Sequence, residues 1–303
     1  MTNSGIRLIR NVVLALLAVA MAPAAQAQRA FPTPQAAAEA LKAATAKFDE
    51  AALRDLFGPA YDKVKSADAD QLEGNIARLH AAMKEYLAVP EKPDGKATVI
   101  VGVEAWPFPI PLAKAAAGTW SFDTAAGGEE LINRRIGENE LKAIETLGAY
   151  VAAQRLYASK PRGAGPLRAF AQKIRSTPGR KDGLYWEEGL DREESPFGPL
   201  ISDAHTRKSG APYYGYRFRI LTAQGPGAPG GAYSYIINGN MVAGFAMIAY
   251  PAVYGNTGIM SFIVNHYGEV YEADLGRDTA ERAARTTTYN PGKGWSLASG
   301  NLR

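Results

Sequence analysis

The chain contains no cysteine among its 303 residues and only three histidines. The first absence excludes disulfides, thiolate catalysis, thiolate metal sites and a lipid-modified cysteine at the N-terminus. The second leaves no two histidines at metal-ligand spacing. The Gly-x-Ser-x-Gly, phosphate-loop, His-Glu-x-x-His and EF-hand patterns are also missing. Nor is there an excess of one charge. Of the 34 basic residues, Arg7 and Arg10 belong to the N-terminal leader pattern, and the 32 that remain face 30 acidic ones. Nucleic-acid binding therefore has no electrostatic support, and the composition calls for no cofactor and no metal.

What is present begins with Arg7 and Arg10, the apolar run from Val12 to Ala22, and Ala25-Gln26-Ala27. This is the pattern of a cleavable secretory signal, expected over residues 1–27. The run is short for a bilayer span, which needs about 20 apolar residues. The mature chain is expected to begin at Gln28, to carry no membrane span, and to reside in the periplasm.

Residues 28–127 read as an N-terminal helical domain with a β-hairpin. Thr33 caps a helix whose first residue is Pro34, a position where the missing N–H costs nothing. Asp49 starts a second helix that ends before Gly58-Pro59, and residues 71–87 form a third, with His80 packed beside its apolar stripe. Ala97 to Glu104 and Thr119 to Asp123 are expected strands. Between them Trp-Pro-Phe-Pro-Ile-Pro-Leu, residues 106–112, is an extended connector, because its prolines suit neither a helix nor a central strand.

Residues 128–303 read as a second unit. Gly127-Gly128 separates a long helix, 129–159, from what precedes it, with Gly137 as a candidate break. The stretch 160–211 is rich in Pro, Gly and charge, with a short helical piece near 167–174. Five strands follow, over 214–222, 232–238, 242–250, 258–265 and 269–275, with connections short enough for antiparallel neighbours. The histidine and carboxylates around His266 fall at a hairpin tip, with Gly268 supplying the turn, rather than in a metal cluster. Asp278 to Glu281 has the spacing of a capping box. The fold class is α+β, with a long central helix packed on a C-terminal antiparallel sheet.

Functional candidates are few. Asp203 and His205 could act as an orienting carboxylate and general base, which makes a periplasmic hydrolase the alternative reading. Glu187-Glu188 and Glu193-Glu194 read as a solvated loop rather than a glycosidase pair. Aromatic residues in or beside loops are the better candidates for recognition: Trp106, Phe108, Trp186, Tyr213 and Tyr254. They favour a non-catalytic binding or assembly protein of the cell envelope, with an envelope protein or a glycan as partner.

Long blocks carry a family resemblance: Gly215 to Ile220, Tyr233 to Gly276, the Trp106 to Leu112 segment with Trp120 to Leu131, and Arg134 to Ala158. They resemble the exported bacterial family catalogued as domain of unknown function 2950, which implies no activity and no catalytic residue. Asn139-Glu140 and Ala153-Gln154 to Tyr157 on the long helix, followed by a Gly-Tyr-x-Phe strand and a Tyr-Gly-x-x-Gly hairpin, are more distantly similar to type IV pilin-like heads. That similarity implies a helix laid on an antiparallel sheet. The prepilin leader and its hydrophobic spine are absent.

Overall fold

The computed structural model describes residues 28–162, 165–186, 193–198 and 211–298. Thr33 Oγ1 accepts a hydrogen bond from the Ala36 N–H and opens α1, Pro34–Ala46. Asp49 does the same for α2, Glu50–Phe57, which runs through a 3-10 turn into the short α3, Tyr61–Val64. The third long helix, α4, Ala69–Glu85, starts two residues earlier than its apolar pattern predicts, because Asp68 accepts from the Gln71 N–H and caps it. The buried alanines 37, 38 and 44 of α1 let its neighbours approach closely.

The expected single hairpin is replaced by two small sheets. The strand predicted over 97–104 divides into β2, Lys96–Ala97, and β3, Ile100–Val101, which pair in different sheets. One sheet joins β3 to β1, Leu87–Ala88, and to β4, Trp106–Pro107. The other joins β2 to β5, Leu112–Lys114, and β6, Trp120–Phe122. Along 106–112 the buried residues Phe108, Ile110 and Leu112 alternate with the prolines, which stay partly or fully exposed. The prolines thus occupy outward positions, where their missing N–H groups leave nothing buried and unpaired.

Asp123 caps α5, Thr124–Tyr157, a single helix of 34 residues. It includes Gly127-Gly128, where the sequence predicts a break. A Cβ on Gly127 would lie 2.4 Å from Ile110 Cα and Pro109 O. These glycines therefore serve close helix–strand packing rather than a boundary. Gly137 faces open space and does not interrupt the helix.

Two hydrophobic cores lie along this helix. The first gathers α1, α2, α4 and the small sheets around Leu41, Phe57, Phe108 and Trp120. The second packs Leu147, Tyr150 and Val151 of α5 against a five-stranded sheet. That sheet runs in the order β15-β14-β13-β12-β7, all antiparallel. Its members are β7, Tyr216–Leu221; β12, Ala246–Pro251; β13, Met260–Asn265; β14, Val270–Asp274; and β15, Ser296–Leu297, which the sequence reading does not anticipate.

The strand expected at 232–238 is broken into β9, Tyr233–Ser234, paired with β8, Ala223–Gln224, and β10, Ile236–Ile237, paired with β11, Asn240–Met241. Asn238 and Gly239, at φ 49° and 78°, make the two-residue turn between β10 and β11. The helical piece expected at 167–174 is absent; Phe170 instead bridges to Met241. The Gln154 side chain holds the neighbouring backbone, donating to Ala171 O and accepting from Ala171 N–H. The last helix, α6, Thr279–Arg285, forms without the expected capping box, since the Asp278 side chain makes no cap bond. No helix among the described residues is long and apolar enough to cross a membrane.

Candidate functional site: an apolar cleft between two helices

The first core is not closed. A cleft of about 600 Å³ opens between α4 and α5 and reaches α1, α3 and the β3–β4 hairpin, within the usual size range of small-molecule sites. Helical spacing builds its long wall. Leu72, Ile76, Leu79 and Ala82 recur at three- and four-residue intervals on α4 and all face the opening. Leu131 and Arg135, one turn apart, answer them from α5.

The β3–β4 hairpin forms one end. Gly102 and Ala105, at φ 73° and 53°, turn the chain so tightly that Val103 projects with 83% of its surface exposed. Trp106 follows at 41% exposure, and Arg134 stacks on its ring at 5.3 Å while bonding Glu130 at 2.6 Å. Phe108 points inward, only 6% exposed, edge-on to Trp106 and Phe122.

The other end lies at α3 and is polar. Tyr61 lines the cleft there, 3% exposed, and its hydroxyl has no hydrogen-bond partner among the described residues. Burial pushes its pKa above the ordinary tyrosine value. Beside it Arg135, 7% exposed, donates to Val64 O, Lys65 O and Asn256 Oδ1. No carboxylate faces it among the described residues. Desolvation accordingly lowers the guanidinium pKa to about 10.

Beneath this end a buried polar seam joins the cores. Asn139, fully buried, donates to Thr257 O at 2.8 Å and accepts from the Gln71 side chain. Glu140 Oε1 accepts from the Ile259 and Met260 N–H groups at 3.0 and 2.9 Å. Asp68 accepts from the Gly215 N–H at 3.1 Å. The Asn-Glu pair of the sequence reading is thus the weld between α5 and the loop before β13.

Of the expected binding residues, the structure brings Trp106 and Phe108 into the cleft and leaves three outside it. Trp186 is 3% exposed in the second core, its ring beneath Arg162 and Lys181 and its Nε1–H donating to Glu193 O. It is not the loop aromatic that the sequence suggests. Tyr213 stacks edge-on with Tyr214, and Tyr254 donates to Asp274, both half-buried. Asp203, His205, Glu187 and Glu188 lie outside the described residues.

Glu193 accepts from Lys160, Arg162 and Lys181, and this ion pairing, led by Arg162, holds its pKa at about 2. A carboxylate so held has no proton to donate at neutral pH. His80 bonds Thr45 Oγ1 and Lys42 O, as a packing histidine does. His266 begins the β13–β14 turn, edge-on to Tyr235 and Phe245, and burial lowers its pKa. No group of three acidic or histidine side chains stands at metal-binding distance among the described residues.

Sequence reasoning passed over Tyr61 and Arg135. The available signal was Arg135 itself, a cation one turn from Leu131 and beside Ile136, on the inward stripe of α5.

Residues 28–298 match the family described as Protein of unknown function (DUF2950), and the chain belongs to it. No curated protein and no solved structure matches.

Proposed function

We propose that this is an exported, non-catalytic binding protein of the cell envelope, acting in the periplasm, whose ligand occupies the cleft between α4 and α5. The carrying observation is that cleft: an apolar wall left open to solvent in a folded core, with Trp106 at its mouth and Phe108 inside. The leader pattern over residues 1–27 supports export, as does a family match that begins at residue 28. In the C-terminal half the helix precedes an antiparallel meander. That arrangement supports the likeness to pilin-like heads at the level of layers.

The test is co-purification. Protein recovered from envelope extract and sprayed intact into a mass spectrometer is expected to carry a bound molecule. Leu131→Trp, which fills the cleft, is expected to lose it while remaining folded. Equal retention by both proteins, or no bound molecule on either, would count against the cleft as the binding site.

A further inference from the structure

We propose that the cleft receives a single-chain acyl amphiphile, its hydrocarbon tail lying along α4 and its carboxyl or acyl carbonyl oxygen accepting a hydrogen bond from the Tyr61 hydroxyl. The inference rests on the binding reading above and assigns its ligand class.

Shape is the first argument. From Leu72 to Ala82 the α4 wall spans ten helical steps, about 15 Å at 1.5 Å per residue. A wall of this length made of Leu72, Ile76, Leu79 and Ala82 offers a continuous aliphatic track along which an extended chain can lie. The second argument is the pattern of satisfied and unsatisfied polar groups. Buried hydroxyls are almost always bonded, because an orphan costs free energy. Tyr61 is an orphan among the described residues and lines the cavity. A ligand oxygen placed beside it would remove that cost.

Charge supplies the third. Lys65 and Arg135 line the same end. Lys65 is already paired with Glu50 and Asp62, whereas the Arg135 guanidinium is buried against carbonyl and amide oxygens without an acid among the described residues and carries the argument. An oxygen-rich or anionic head is favoured there and a cationic head is disfavoured. At the far end the exposed Val103 and Trp106 offer apolar surface to the end of a tail, with Glu104 and Arg134 beside them at the rim.

The experiment titrates the delipidated protein with hexadecanoate, 1-hexadecanoyl-lysophosphatidylglycerol and hexadecyltrimethylammonium, reading displacement of a fluorescent fatty acid. At least one acyl compound is expected to bind saturably, one per chain, and the cationic amphiphile to bind more weakly. Tyr61→Phe is expected to weaken acyl binding about tenfold, the effect of losing one hydrogen bond to a charged or carbonyl oxygen. Its melting temperature should hold or rise, since the orphan group is gone. Leu131→Trp is expected to abolish binding.

Binding of hexadecanoate alone would identify a free fatty acid, and of the lysolipid alone a phospholipid-derived chain; either supports the proposal. It is overturned if neither acyl compound binds, if the cation binds as well as they do, or if Tyr61→Phe binds like the parent. A non-lipid molecule that co-purifies with the parent protein and is lost from Leu131→Trp would overturn the acyl assignment while leaving the binding reading intact.

Discussion

Glu193 shows how a residue that looks catalytic on paper becomes structural in the fold. Arg162, Lys181 and Lys160 converge on it and Arg162 also covers Trp186, so the carboxylate helps roof the second core. Its folded pKa, about 2, lies below its ordinary 4.5. The stabilisation is therefore complete above the ordinary value and is lost as pH falls toward the folded one. The melting temperature of the parent protein is expected to exceed that of Glu193→Gln at neutral pH. The gap should narrow below pH 4.5 and close near pH 2; a gap independent of pH would show that the contribution is packing alone. At this scale the sequence was least legible. Trp186 and Trp106 both occur in Pro- and Gly-rich surroundings, and only tertiary contacts distinguish the buried ring from the one at the cleft. Tyr61 gave no local sign, because an unpartnered hydroxyl is defined by what fails to lie near it.

Among the elements, α5 was the most readable and its first turns the most misleading. Eight apolar residues at helical spacing announce the helix, while Gly127-Gly128 looks like an end. The contact that explains the pair, with Pro109 and Ile110, is non-local. Two substitutions separate the meanings of glycine here. Gly127→Ala places a methyl 2.4 Å from backbone atoms and is expected to cost about 1–3 kcal/mol, as overpacking does. Gly137→Ala meets nothing within 4 Å and is expected to stabilise by up to about 1 kcal/mol, through helix propensity alone. Denaturant unfolding checks both, and equal effects of one sign would refute this reading of the helix. The C-terminal strands were legible for the same reason as α5, since β7, β12, β13 and β14 carry strong local patterns. The proline segment and β15 owe their pairing to partners distant in sequence.

On the scale of the whole molecule, the two cores share one helix and one polar seam. Asn139, Gln71 and Thr257 come from positions far apart in the chain, so no local pattern foretells the weld. Asn139→Ala leaves the Thr257 carbonyl and the Gln71 amide buried without their partner, and is expected to cost about 1–3 kcal/mol. It is also expected to resolve a single calorimetric unfolding transition into two, one per core. A single transition in the variant would mean that continuity of α5 suffices to couple the halves. The cleft was the least legible feature of all at this scale, since its lining is gathered from segments between Leu41 and Glu138.

The shared helix also makes length a constraint in its own right. Leu131 and Arg135 face the cleft while Leu147, Tyr150 and Val151 face the sheet, with the relation between them set only by the count of residues from one to the other. One inserted residue would turn the second face by about 100° and shift it by 1.5 Å relative to the first. Family members are accordingly expected to tolerate varied residues around Gly137 but no change in their number.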